Sequence, residues 1–185
     1  VQTRNDIEIP QWLAKHLNLG RLLFAFVILA FALFGCSEAT ASDWQSAQSI
    51  LSEERIETIV QDNSSLSGEQ LSQVVGNVLV FRPHEAIYFI DFNSRLLRGS
   101  NGRRFAAYRV RDGQWEQVFM AYLVDAPGGF NLIEATQSMQ NGLPCLRVHQ
   151  PNNNNPDTVK RLRLCFTGES YELVDRKNIP LQQEG

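Results

Sequence analysis

Polar and apolar residues are mixed over residues 1–20; the chain then runs apolar without a break from Leu22 to Phe34 and turns polar after Cys36. Two patterns follow. The first is helical. Trp44, Ala47, Ile50 and Leu51 recur at i, i+3, i+6 and i+7, near one helix face, behind a cap at Ser42 or Asp43. Ser52-Glu53-Glu54 restarts the pattern with Ile56, Ile59 and Val60, and Asp62–Ser65 reads as a turn. Ser67-x-x-Gln70 matches a capping box ahead of Leu71, Val74 and Val75, and Gly76-Asn77 ends that helix.

From Val78 the period changes to that of strands. Val78–Phe81 is a short apolar run, expected to break at Pro83, and Ala86–Phe92 is rich in β-branched and aromatic residues. Asn93–Gly102 reads as a loop. Arg103–Val110 and Gln114–Val124 flank Asp112-Gly113, a tight-hairpin signal that pairs Arg111 with Gln114 and Arg109 with Glu116. The second of these strands is apolar at alternate positions on both faces: Trp115, Phe119, Ala121 and Leu123 on one, Val118, Met120, Tyr122 and Val124 on the other. A central strand, covered on both sides, is the expectation. Phe130–Ala135 reads as a short strand. Leu143–Gln150 and Thr158–Phe166 form a hairpin around the polar turn Pro151–Asp157, and Tyr171–Val174 is a last short strand.

The fold expected from these patterns is α+β: N-terminal helices packed on one antiparallel β-sheet of five to seven strands, with one hairpin disulfide. The chain divides into a leader (1–35), a cysteine and tether (36–43), a helical segment (44–77) and a β domain (78–180).

The apolar run decides the address. Leu22–Phe34 is thirteen residues long. That matches the ~7–15 residues of a signal-peptide core and falls short of the ~20 needed to span a bilayer. Lys15 and Arg21 precede it, and it closes in Leu33-Phe34-Gly35-Cys36. This ending resembles the lipobox of bacterial lipoprotein precursors, with a Leu three before the Cys and a small residue just before it. The resemblance implies cleavage before Cys36, acylation of its sulfur and new amino group (palmitate among the chains), and a lasting membrane anchor. Where such families use Asp after the Cys as a retention signal, Ser37 permits onward sorting. An uncleaved signal anchor, extended upstream by Trp12-Leu13, and a buried core helix are the other readings of the run. The expected location is a membrane, lipid-held, facing the periplasm, or the thylakoid lumen in a cyanobacterium. A second, shorter likeness covers NGLPCLRV and RLRLCFTGESYELV near the C-terminus. This hairpin, leading to Gly168, Tyr171 and Leu173, resembles the last strands of small exported bacterial domains, including cyanobacterial ones; it implies an antiparallel ending and no function.

Charge is uneven along the chain. Residues 36–80 hold seven acids against Arg55 alone, whereas residues 81–185 hold thirteen bases against eleven acids. No domain-wide basic excess argues for nucleic acid. Cys36 is taken by the lipobox, which leaves Cys145 and Cys165 as an even pair in an exported domain, the setting in which disulfides persist. A structural staple is the leading reading, and free thiols or a redox pair are the others. If the two face each other, the hairpin register is set: Arg147 faces Arg163, His149 faces Arg161, Leu146 faces Leu164 and Val148 faces Leu162. Leu146, Val148, Leu162, Leu164 and Phe166 then take the core face. The cysteines share the opposite face with Arg147, Arg161, Arg163 and His149. Like charges stacked across a hairpin are unfavourable unless answered. Either Glu134 or Glu172 neutralises the stripe, or the face binds an anion such as phosphate, carboxylate or an anionic glycan.

Arg95, Arg98, Arg103, Arg104, Arg109 and Arg111 form a second basic cluster, interleaved with Phe105 and Tyr108. It reads as a salt-bridged loop or as a contact for anionic headgroups or an acidic partner. Catalysis finds little support. Arg82-Pro83-His84-Glu85 lacks a second His at metal-binding spacing, and no nucleophile elbow or phosphate loop is present. No metal and no cofactor are expected. The leading function is a non-catalytic, lipid-anchored envelope protein that binds or scaffolds an envelope component or an anionic ligand. The alternatives are an inhibitor-type lipoprotein that blocks a hydrolase, and an envelope hydrolase whose site would gather His84, Glu85 or Asp91.

Overall fold

Nine antiparallel strands build two sheets, described over residues 43–181 in a computed structural model. These residues belong to a unit spanning Thr40–Gly185. The leader and Cys36 lie outside the described residues. The first sheet has the order β1-β2-β3-β4-β5: Gln45–Ser46, Leu79–His84, Ile87–Asp91, Arg103–Arg111 and Gln114–Leu123. The second has the order β6-β7-β8-β9: Ile133–Gln140, Leu143–Pro151, Thr158–Phe166 and Tyr171–Pro180. Two helices, α1 (Glu53–Asp62) and α2 (Gly68–Val75), interrupt the first sheet between β1 and β2. The protein is therefore mostly β. The expected single sheet carrying packed helices is corrected to two sheets.

Strand alternation explains the split. Along β3, Ile90 belongs to one apolar cluster with Ile56, Ile59 and Val60 of α1 and Leu71, Val74 and Val75 of α2. Ile87 and Phe89 point the other way, into a second cluster with Ile133, Leu146, Val148 and Phe166 of the second sheet. In β4, Ala106 and Tyr108 take the helical side and Phe105 and Ala107 the other. Too many strand residues are apolar on both faces for one sheet with a solvated side; a covering layer on each side is the solution.

The 44–51 stretch departs from the helix its spacing predicts. It forms the short β1 and a 3-10 turn at Ala47–Ser49. Trp44 packs on Phe81 and Phe105 at ring distances of 5.7 and 6.0 Å, in the cluster between the sheets. Ala47, Ile50 and Leu51 join the helix-side cluster. One amphipathic helix has one apolar face and cannot serve both sides of a sheet. Ser52 does cap α1, accepting from the Arg55 N–H at 3.3 Å. Ser67 precedes α2, but its side chain makes no cap bond, so the predicted capping box is not formed.

Turns and bulges set the remaining register. Asp112 and Gly113 both have positive φ, as a type I′ turn requires, and the predicted pairs Arg111–Gln114 and Arg109–Glu116 are present. Asn141-Gly142 makes a second turn of this kind between β6 and β7. The short strand expected at Phe130–Ala135 therefore runs on to this turn, with β6 ending at Gln140. Pro83 does not end β2; the strand shifts register between Phe81 and His84, a bulge that tolerates the missing N–H. Another bulge lies in the β4–β5 ladder, where Ala107 pairs with Phe119 but Tyr108 with Gln117. The extra residue, Val118, is buried with Phe119 in the inter-sheet cluster, so parity reverses along β5. Trp115 consequently lies on the helical side, against Tyr88 at 4.8 Å, with the Arg55 guanidinium 5.0 Å from its ring. The expected central position of β5 is also corrected: it is an edge strand, and Met120, Tyr122 and Val124 are 50, 41 and 43% exposed.

Candidate functional site

The second sheet carries the residues singled out for recognition. A disulfide joins Cys145 on β7 to Cys165 on β8, twenty residues apart. The hairpin register is the one the cysteines imply: Leu146–Leu164, Arg147–Arg163, Val148–Leu162 and His149–Arg161. Leu146, Val148 and Phe166 are buried against the first sheet, with Leu162 and Leu164 packed beside them. Period two then sends Arg147, Arg161 and Arg163 outward with the cysteines.

Neighbouring strands extend these pairs into rows. One row reads Glu134–Arg147–Arg163–Asp175 across β6 to β9. Its ends are acidic and its middle basic. Arg147 donates to the Glu134 carboxylate at 3.0 Å, so one of the two acids expected to answer the stripe does so. Glu172 lies opposite Cys165 instead. Asp175, one residue past the strand expected at Tyr171–Val174, faces Arg163 but forms its ion pair with Lys177 at 3.6 Å. The next row reads His149–Arg161–Lys177.

His149 does not share the solvent of this stripe. It is 2% exposed, with the Phe130 ring 4.9 Å away and Nδ1 2.8 Å from the Asn131 carbonyl oxygen. A carbonyl only accepts, so Nδ1 carries the hydrogen of this bond. The structure thus divides the four predicted residues. Arg147 is ion-paired and His149 is covered. Arg161 and Arg163 sit side by side in register with His149 and Arg147 and have no ion pair among the described residues. What this face offers chemically is a pair of guanidinium groups with Lys177 at its edge, suited to an oxyanion.

The first sheet treats its arginines differently. Arg103 donates to Asp91 at 2.6 Å and to Asp125 at 2.7 Å, and Arg98 lies 3.6 Å from Asp125. Arg109 pairs with Glu116, and Arg104 donates to the Asn63 carbonyl oxygen. Arg111 reaches Asp112 at 3.7 Å. Most of the second basic cluster is therefore salt-bridged or hydrogen-bonded.

The residues suggested for an enzyme do not converge. His84 stands opposite Ile87 at one end of the β2–β3 ladder and accepts at Nδ1 from the Ala86 N–H, whereas Asp91 stands opposite Leu79 at the other end. Asp91 is 4% exposed. Burial raises its carboxyl above the usual value, against the opposing pull of Arg103 and the Asn93 N–H. Tyr108, also buried, is pushed up to about 12 by desolvation, with its hydroxyl bonded to Asn63 Nδ2 at 2.6 Å. Among the described residues no group of three or more His, Cys, Asp or Glu is placed to hold a metal, and no helix is long and apolar enough to cross a membrane.

Comparison with known proteins finds no matching family model, no matching curated protein and no matching solved structure.

Proposed function

We propose that this chain is a lipid-anchored cell-envelope protein whose folded domain binds or scaffolds another envelope component without catalysis. The leader is removed before Cys36, and the acylated cysteine holds the domain at a membrane facing the periplasm, or the thylakoid lumen in a cyanobacterium. The binding role rests on one observation above all. Arg161 and Arg163 stand together on the outward face of the second sheet, without ion-pair partners among the described residues, while the arginines of the first sheet are largely answered. The Cys145–Cys165 disulfide supports the address, because such bonds persist in oxidising compartments. The thirteen-residue apolar run ending at Gly35-Cys36 supports the anchor. The partner surface is acidic, presenting carboxylates or phosphates to the two guanidinium groups.

Two measurements test the reading. Mass spectrometry of the native protein should find a chain beginning at an acylated Cys36; a chain that keeps Val1 and a free Cys36 thiol overturns the anchor. Pull-down from solubilised membranes should recover a partner that is lost on Arg161→Glu with Arg163→Glu. A partner set unchanged by that double reversal removes this face as the binding surface.

A further inference from the structure

We propose that the open corner of the sandwich, where β5 ends against β7, β8 and β9, is a pocket for a small amphiphilic anion: an oxyanion head on a short apolar body. The pocket lies on the opposite face of the second sheet from the Arg161–Arg163 stripe and does not depend on the anchor.

A cavity of about 300 Å³ opens here, within the range of small-molecule sites. Its apolar wall is Val124, Pro151 and Leu162, and its cations are Lys160 and Arg176. Strand register explains the mixture. On the inward face, one row reads Ile133–Val148–Leu162–Arg176 and the next Gln150–Lys160–Asn178. The apolar core thus fades both toward the β9 edge and toward the β7 end, leaving two cations against the last leucine.

The wall is fixed in place. The Gln150 side chain accepts from the Val124 N–H at 3.0 Å and donates to the Val124 carbonyl oxygen at 2.9 Å, clasping the end of β5 to β7. Neither Lys160 nor Arg176 has an ion pair among the described residues. The acids of β9 are turned away, because Glu172 and Asp175 stand opposite Cys165 and Arg163 on the outward face. Arg176 is exposed and alone has an ordinary explanation: a charge in the inward register of an edge strand discourages pairing with another chain. Lys160 does not. It lies half-buried on β8, between β7 and β9, where a strand has no edge to protect. Two unanswered cations beside an apolar wall match a ligand with one charged end.

The test is equilibrium binding of labelled hexanoate to the full chain in neutral phosphatidylcholine nanodiscs, with empty nanodiscs as the blank. Saturable binding of one hexanoate per chain is expected, with competition by hexyl phosphate, much weaker competition by inorganic phosphate and none by hexanol. Lys160→Gln with Arg176→Gln should weaken binding about tenfold. Arg161→Gln with Arg163→Gln should leave it unchanged. No saturable binding above the blank overturns the proposal, as does hexanol competing as well as hexyl phosphate. Inorganic phosphate matching hexanoate removes the apolar body. Loss of binding in the outward pair rather than the inward pair moves the ligand off this site. Binding by the unaltered chain decides by itself, so a variant that failed to fold would not protect the proposal.

Discussion

The two sheets share an antiparallel meander and differ in what their faces meet. In the first, β3 and β4 bury successive residues to opposite sides: Ile90 and Ala106 toward the helices, Phe89 and Ala107 toward the second sheet. In the second, one face meets the inter-sheet cluster, and the other carries arginines, acids and the cystine, with Phe130 lying over His149. The same residue type behaves differently in each setting. Arg103 and Arg109 are bound to carboxylates, while Arg161 and Arg163 are not. A strand gripped from both sides has spent its side chains on packing. A strand packed on one side leaves alternate residues outside the apolar clusters, and that is where Arg161 and Arg163 lie. The cross-link falls on this second sheet, joining β7 to β8 on the face away from the inter-sheet cluster.

The largest effect should separate the two sheets by packing alone. Phe89 lies between the layers, 1% exposed and ringed by Phe81, Phe119 and Tyr171. Phe89→Ala should cost about 4 kcal/mol, whereas Leu162→Ala, half-buried at the rim of the second sheet, should cost about 2 kcal/mol. Urea unfolding of both variants measures the difference; equal losses would mean that the two sheets are equally packed. The disulfide comes next. Closing a loop of this length is worth about 3 kcal/mol in the chain-entropy model, so Cys145→Ala with Cys165→Ala should lower the unfolding free energy by about that amount. A loss of well under 1 kcal/mol would show that the cystine adds nothing to the second sheet.

The helix junction should respond more mildly. Asn63, 3% exposed at the end of α1, donates to the Ile59 carbonyl oxygen at 2.9 Å and to the Tyr108 hydroxyl, and accepts from Gln117 Nε2 at 3.0 Å. Asn63→Ala strands partners on two strands of the first sheet, and a loss of about 1–3 kcal/mol is expected. An unchanged midpoint in urea would show that these groups find other partners.

How far the sequence carried depended on how local each signal was. Asp112-Gly113 fixed a hairpin because positive φ at two successive residues is a local demand, and the two cysteines fixed the β7–β8 register because a disulfide tolerates little offset. Asn141-Gly142 carries the same local turn signal, although no hairpin is expected there from the strand pattern. What stayed hidden was set by distant chain. Trp44 and Ala47 look like one helix face, yet serve opposite sides of the first sheet. The bulge at Val118 reversed the face of Trp115, and no residue near it announces the extra position. At the candidate site, Glu134 beside Arg147 was readable from charge. The cover of Phe130 over His149 was not, nor was the meeting of Lys160 with Arg176, because both follow from how β9 and the 125–132 connection lie on the sheet.

The smallest effect concerns Asp91, and its sign distinguishes the two kinds of charge in the molecule. Asp91 is an interior acid of the first sheet, held by Arg103 and the Asn93 N–H. Desolvation nevertheless raises its carboxyl above the ordinary value, outweighing the guanidinium. A raised carboxyl binds its proton more tightly folded than unfolded, so its contribution is fully present below the unfolded pKa. That contribution is lost as the pH rises through the folded value. Relative to Asp91→Asn, which cannot titrate, the unaltered chain should therefore gain stability as the pH falls from neutral toward the carboxylate range. Urea midpoints for both proteins at several pH values give the difference directly. If the unaltered chain instead loses ground on acidification, the ion pair with Arg103 dominates. Asp91 would then belong with Glu116 and Glu134, surface acids that answer arginines, and not with the buried groups that hold the first sheet between its two cores.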